Sequence, residues 1–422
     1  MRLVFFKNFQ TNKLCSHATP NSSISFGPFN YFNQKRWKKP ANTAQTRLEN
    51  RTRDLKLNLL TSRLRKLNIA LHLFDLMSQR RRPYVSMQIM SRWGDVVGLN
   101  VSMGDFVNEY PHIFEVFKHP VRRNVCCCIT SKMLELIEEE KVVVKEREVD
   151  NIRMLKKLFM MSKEGTLHLH ALRLVRRELG LPEDFRESIF RKYVDDFKLV
   201  DMEVVALVKK DENLAFTKVE EWRENEYREK WLSEFEIKYA FPINYPTGFK
   251  IESGFKEKMM NWQRMSYVKP YEKEGTRSRS KTGIERFEKR VVGILHEFLS
   301  LTVEKMMPVE RFVHFRKDLG IEVNMRELLL KHPGIFYIST KGNCQNVFLR
   351  EAYTKCCLTE QNALYIVRRK MLDLMLLHRR NTKEIKRNKV IEEEKPILET
   401  EKVLTSRRDG DWVIPFLERS DD

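Results

Sequence analysis

The sequence predicts a mainly α-helical protein with short β-hairpins: an α+β fold of three tandem winged-helix-like units in one extended array. Three observations predict it. A pattern of glycine, short amphipathic helix and spaced aromatic anchors occurs three times. Each copy follows longer amphipathic runs and precedes two apolar runs around a polar turn. Hydrophobic residues make up 42% of the 422 residues, enough to bury real cores in a chain of this length.

The copies are GLNVSMGDFVNEYPHIFEVF from Gly98, GLPEDFRESIFRKYVDDFKLV from Gly180 and GIEVNMRELLLKHPGIFYIS from Gly320. The anchors are Tyr110 and Phe114, Tyr193 and Phe197, and His332 and Phe336, four residues apart in each copy. Glycine suits the C-terminus of a preceding helix because it adopts a left-handed backbone without penalty. Those preceding helices read SMQIMSRWGDVV, HLHALRLVRREL and VERFVHFRKDL. Longer amphipathic helices lie further upstream: LLTSRLRKLNIALHLFDLM, NIRMLKKLFMM and ERFEKRVVGILHEFLSL. Downstream come paired apolar runs: IFEVF with VCCCIT, FKLV with VVALV, and IFYIS with VFLREA. The last pair encloses TKGNCQ, whose Gly342 and Asn343 tolerate positive φ. Three helices followed by a hairpin is the order of a winged helix-turn-helix unit. The units span about 55–145, 150–215 and 284–355, with an aromatic and basic linker over 235–283. A helical solenoid without hairpins is the alternative, because periodicity does not separate helix from strand in short apolar runs. Phe114, Phe197 and Phe336 are expected to plug the core, and Tyr110, Tyr193 and His332 to be structural. Pro111 and Pro333 mark helix ends.

The formal net charge is +20, which points to a polyanionic partner. Part of it is an address: residues 1–48 hold eight Lys or Arg and no Asp or Glu, among Ser, Thr and Asn. That is the composition of an organellar transit peptide. A short amphipathic helix over Met1–Phe9 would favour the mitochondrion, with the chloroplast as alternative. Residues 49–380 form the binding region, and 381–422 a charged, flexible tail.

No apolar run reaches the ~20 residues of a membrane span. The cysteines form no C-x-x-C pair, so no structural zinc site is expected. Cys126, Cys127 and Cys128 sit in an apolar run and are expected to pack in a strand. His168 and His170 form an isolated pair that lacks further metal ligands. No phosphate-binding glycine loop, zinc-protease helix or nucleophile elbow is present. The chain therefore reads as no enzyme, with no cofactor, no metal and no small-molecule substrate.

Basic residues cluster over 51–82 and 264–290, and aromatics alternate with Pro, Gly and basic residues from Tyr239 to Tyr271. Aromatic faces stack on unpaired bases while Lys and Arg hold phosphates. The candidate RNA-binding residues are therefore Arg80, Arg81, Arg82, Tyr245, Phe249 and Trp262, together with Arg264, Lys269, Arg277, Arg279 and Lys281. An ordered loop packing those aromatics over the array is an equally weighted reading.

Four stretches resemble the plant organelle RNA recognition (PORR) family. They are DFVNEYPHIFEVF at 105–117, FPINYPTGFKIESGFKEKMMNWQRMSYVKPYE at 241–272, HEFLSLTVEKMMPVERFVHFRKDLGIEVNMRELLLKHPGIFYIS at 296–339 and KGNCQNVFLREAY at 341–353. The chain departs from the pattern in the run TKCCLTEQNA and in its longer charged tail. The resemblance implies import into an organelle, binding of organellar intron RNA, and promotion of group II intron splicing, with other splicing factors as further partners. An organellar DNA-binding or transcription-termination factor, or an rRNA-binding ribosome assembly protein, are the alternatives.

Overall fold

The computed structural model describes residues 44–230, 238–250, 253–273, 280–342, 344–354 and 357–377. Residues 1–43 of the expected transit peptide (1–48), the tail from His378, and Arg277 and Arg279 lie outside them.

The repeat is visible in the backbone. The first copy runs helix Leu55–Ser78, β1 (Tyr84–Ser86), helices Met87–Ser91 and Met103–Glu109, then β2 (Phe114–Lys118) and β3 (Val125–Ile129). The second runs helix Glu148–Met161, β4 (Thr166–His168), helices Leu169–Leu174 and Arg176–Leu179, a π-helical turn Arg186–Phe190, then β5 (Phe197–Asp201) and β6 (Val204–Leu207). The third runs helix Lys281–Leu301, β7 (Met306–Pro308), helices Val309–Phe312 and Met325–Lys331, then β8 (Phe336–Ser339) and β9 (Asn346–Leu349). Each copy closes a three-stranded antiparallel sheet with the last strand in the middle: β1-β3-β2, β4-β6-β5 and β7-β9-β8.

The glycines do what the sequence requires. Gly98, Gly180 and Gly320 have φ of 69°, 73° and 64°. Each lets the next amide bond back five residues, Leu99 to Gly94, Leu181 to Arg176 and Ile321 to Arg316, all at 2.9 Å. This is the outer bond of a left-handed helix cap. The aromatic anchors also share one bond: the amides of Phe114, Phe197 and Phe336 donate to the carbonyls of Tyr110, Tyr193 and His332 at 3.0 Å. All three phenylalanines are buried. Helix starts are capped locally: Asp54 accepts from Lys56 and Leu57, and Asn362 from Tyr365. Cys126 and Cys127 are buried in β3, and burial pushes the Cys127 thiol up to about 12, which keeps it unreactive.

The copies do not form an extended array. One core joins the second and third copies, and another joins the first copy to helices Ser131–Glu146 and Ala363–Leu376. The third sheet separates the two cores. Phe336, Ile338, Val347 and Leu349 face one, while Tyr337 and Phe348 face the other. A strand covered on both sides must be apolar at every position, which is why IFYIS shows no alternation. The first copy also touches the third directly. Asn58, buried in the first long helix, accepts from Tyr337 Oη at 3.0 Å and Ser339 Oγ at 2.8 Å. Burying apolar surface of the third sheet on both faces outweighs an open chain of units, because each open unit would leave one face wet. Among the described residues, no helix is long and apolar enough to cross a membrane.

The aromatic stretch folds over the third copy's long helix. Phe241 and Tyr267 enter its core, and Gln263 clamps Phe241 by bonds to both its amide (2.7 Å) and its carbonyl (3.0 Å). At the other end the Asn244 amide donates to Gly334 O at 2.8 Å, and Arg350 Nε to Asn244 O at 2.6 Å. A Cβ on Gly334 would stand 2.5 Å from Ile243 Cγ2 and 3.0 Å from Tyr245 Cε1. Gly334→Ala is therefore expected to destabilise the protein by about 1–3 kcal/mol, the usual cost of overpacking. Denaturant unfolding measures it, and a loss below about 0.5 kcal/mol would mean that the stretch yields freely.

Candidate nucleic-acid interface

Arg80, Arg81 and Arg82 follow the first long helix and are all exposed. With Tyr84, His119, Arg122 and Asn124 they line a groove of about 330 Å³ whose lining contains no acidic residue. The aromatics there are held in place. Arg80 lies 5.6 Å from the Trp93 ring, Arg82 lies 5.9 Å from the Tyr84 ring, and Arg82 Nη1 donates to Tyr84 Oη at 3.2 Å. His119 Nδ1 accepts from the amides of Val121 and Arg122 at 3.2 Å, so its proton sits on Nε2, 3.1 Å from Tyr84 Oη. That imidazole fixes the turn between β2 and β3, where Arg122 and Arg123 are exposed and Arg123 takes φ 54°. The sequence reading missed these two arginines. Their signal was an adjacent basic pair between two apolar runs, the place where a hairpin puts its tip.

The aromatic candidates divide. Tyr245 and Phe249 stack at 4.6 Å and 16°, with Phe255 edge-on to Tyr245 at 5.9 Å. Both stacked rings are half-buried, and Tyr245 lines a separate groove of about 470 Å³ with Arg53, Lys56 and Arg350. Trp262 packs inward instead, 4.6 Å from the His332 ring and 5.5 Å from Phe241. It is a poor stacking platform, because a base would have to displace His332. Arg264 and Lys281 are exposed, while Lys269 pairs with Glu220. Arg80–Arg82 and Tyr245 thus line two different grooves, and Trp262 lines neither. His168 is engaged with Asp318, at 2.9 Å, and among the described residues no cluster of His, Cys, Asp and Glu could hold a metal.

Lys289 and His332 are turned inward. Lys289 is fully buried, and its Nζ donates to the carbonyls of Trp262 (2.6 Å), Gln263 (3.0 Å) and Met265 (2.8 Å). Burial and then Arg223 push its ammonium down to about 7. The three carbonyls and the rings of Trp262, Tyr267 and Phe241 oppose that shift, and they need the charged form's three donors. His332, under Trp262, is driven down to about 3 by burial and by Lys331 and Lys289. An unfolded histidine takes its proton near 6.5. The unfolded chain therefore binds the proton first, and stability present above about pH 6.5 is lost as pH falls toward 3. Wild type is expected to lose on the order of 2 kcal/mol more than His332→Phe between about pH 7 and 4. Parallel unfolding curves for the two would remove His332 as the cause.

A family profile described as the plant organelle RNA recognition domain matches residues 52–380. The chain belongs to the plant organelle RNA recognition family. This PORR chain is 41% identical over 289 residues to Protein ROOT PRIMORDIUM DEFECTIVE 1 of Arabidopsis thaliana, covering 66% of this chain and 71% of the relative. It is 28% identical over 339 residues to Protein WHAT'S THIS FACTOR 1, chloroplastic, of Zea mays, covering 78% and 67%. It is also 28% identical over 278 residues to Protein WHAT'S THIS FACTOR 9, mitochondrial, of Arabidopsis thaliana, covering 66% and 71%. No solved structure matches the chain. The PORR match takes in both grooves and the three three-stranded sheets.

Proposed function

We propose that this protein binds single-stranded segments of organellar RNA and promotes splicing of group II introns, without a catalytic step of its own. The observation that carries the reading is the acid-free groove beside β1 lined by the exposed Arg80, Arg81 and Arg82 with Tyr84, and with the Trp93 ring 5.6 Å from Arg80. Such a surface suits phosphates flanked by unpaired bases. Each copy's element order and sheet order fit a winged-helix unit, so the three are read as tandem winged-helix units.

Duplex DNA is less well served by the same units. The helix that would enter a major groove is Met103–Glu109 in the first copy, with exposed Asp105 and Glu109. In the second it is one π-helical turn, and in the third Met325–Lys331 is covered by helix Ala44–Asn50 through Arg47 and Glu327. An acidic, a minimal and a covered helix favour RNA loops over base-edge readout in a duplex.

The acid-free leader supports import, and the relatives' names include both a chloroplastic and a mitochondrial protein. We propose import into the mitochondrion with removal of roughly the first 30–50 residues; Leu48, already buried in the folded body, favours a cut before Ala44. Other splicing factors are the expected partners. The test is sequencing of organellar RNA from plants lacking the protein. Unspliced precursors of one or a few group II introns are expected. Fully spliced transcripts combined with lost ribosomal subunits would move the function to rRNA.

A further inference from the structure

A third, larger groove lies where the three copies meet. It measures about 660 Å³ and is bounded by the first long helix, the segment from Arg173 to Arg186, and the turn of hairpin β8–β9. Seven arginines and three glutamates line it.

The arginines fall into two sets. Arg173 is paired with Glu203, Arg176 with Glu183, Arg311 with Glu178, and Arg368 with Glu140 and Glu304. These pairs build the walls: Arg368 also donates to Arg177 O at 2.9 Å and so ties the last helix to the second copy. The other set has donors to spare. Arg186 has a buried Nε with no partner. Arg65 spends one Nη on Gly98 O at 3.3 Å, and its Nε is likewise buried without a partner. Arg177 is held among the charges of Glu140, Glu304 and Glu178 by proximity, with Arg368 opposing them. A desolvated N–H left without an acceptor costs about 1–3 kcal/mol, so such donors mark a place where an acceptor-rich anion belongs. Guanidinium forks match the paired oxygens of a phosphate.

The helix that walls this groove also leads to the arginine groove near β1. Thr61, Leu64, Arg65, Asn68 and His72 form one face of the first long helix along its wall. That helix ends just before Arg80. From Arg65 to Arg80 the rise is about 22 Å at about 1.5 Å per residue. A strand lying on Arg80–Arg82 and following the helix backwards arrives at Arg65.

We propose that the three-way groove holds backbone phosphates of the same RNA strand that lies on Arg80–Arg82, gripped by Arg65, Arg177 and Arg186. RNA then bridges all three copies and resists their separation. The inference rests on the RNA reading above, and the experiment separates the two. The full chain is treated with phenylglyoxal, with and without a polyuridine RNA of about 16 nucleotides, near the upper site size of a single-strand-binding module. Modification of each arginine is read by mass spectrometry. The expected result is protection of Arg65, Arg177 and Arg186 together with Arg80–Arg82. Inorganic phosphate, at the same phosphate concentration, should protect neither set. Arg186→Gln, at a half-exposed position, should lower RNA affinity about fivefold and reduce the log–log salt slope by about 0.7, with an unchanged Tm. Protection confined to Arg80–Arg82 overturns the three-way site and leaves the RNA reading standing. Equal protection by phosphate alone overturns it in favour of a small-anion pocket. Absence of any RNA binding overturns both.

Discussion

Lys289→Met is expected to cost about 3–5 kcal/mol of stability and to release residues 241–270 from the third copy's long helix. The methionine fills a similar volume but offers no donor. Three carbonyls at the end of helix Phe255–Arg264 then lose the ammonium that reaches all of them, and among these Trp262 O alone keeps another donor, the Met265 amide at 3.2 Å. Each buried acceptor without a partner costs about 1–3 kcal/mol, and the positive charge at a helix C-terminus is lost as well. Water cannot replace the ammonium easily, because the rings of Trp262 (4.8 Å), Tyr267 (5.4 Å) and Phe241 (5.9 Å) close around it. Arg290, one residue on, holds Val268 O at 3.2 Å and Glu272 O at 2.9 Å, so the stretch would stay tethered at its far end. Denaturant unfolding gives the loss, and limited proteolysis locates it: new cuts should fall within 241–265. A change below about 1 kcal/mol would mean that the carbonyls find other partners.

Replacing Arg80, Arg81 and Arg82 together by glutamine is expected to lower RNA affinity about 100-fold near 0.1 M salt. Each phosphate contact on a single strand contributes about 0.7 to the log–log salt slope, so three contacts flatten it by about 2. Extrapolated toward 1 M salt, where this term vanishes, the variant and wild type should converge. All three side chains are exposed and accept no carboxylate partner in their groove, so the fold should tolerate the change. Fluorescence anisotropy across a salt series measures both quantities. A parallel shift, with the slope unchanged, would mean that the arginines act through packing on Trp93 and Tyr84 and not through phosphate.

These two sets of basic residues show what the linear sequence can and cannot reveal. The runs 51–82 and 264–290 look alike on paper, each rich in Lys and Arg. In the structure, Arg80–Arg82 stay in water, whereas Lys289 and Arg290 are buried. The difference comes from what packs across from them. Lys289 meets the end of a helix and the rings of Trp262 and Tyr267 from 22 to 27 residues away in sequence, and Phe241 48 residues away. No periodicity within the run encodes that meeting. Trp262 meets His332 for the same reason: one lies in the linker and the other 70 residues on, in the third copy.

The sequence by itself determined the local geometry and the family. Each copy's glycine turn, aromatic anchor and hairpin is specified by residues within a few positions of one another, through φ preferences, caps and apolar pairs. The three anchor bonds therefore recur at the same 3.0 Å. The four long stretches carrying the family resemblance are likewise contiguous. Only the tertiary structure decided how the copies close on each other. The third sheet is covered on both faces because burying it twice is more favourable than leaving one face in water, and a single strand's pattern does not say what will cover it. That closure creates the three-way groove and hides the third copy's would-be reading helix. It also selects which charges remain free to meet a polyanion.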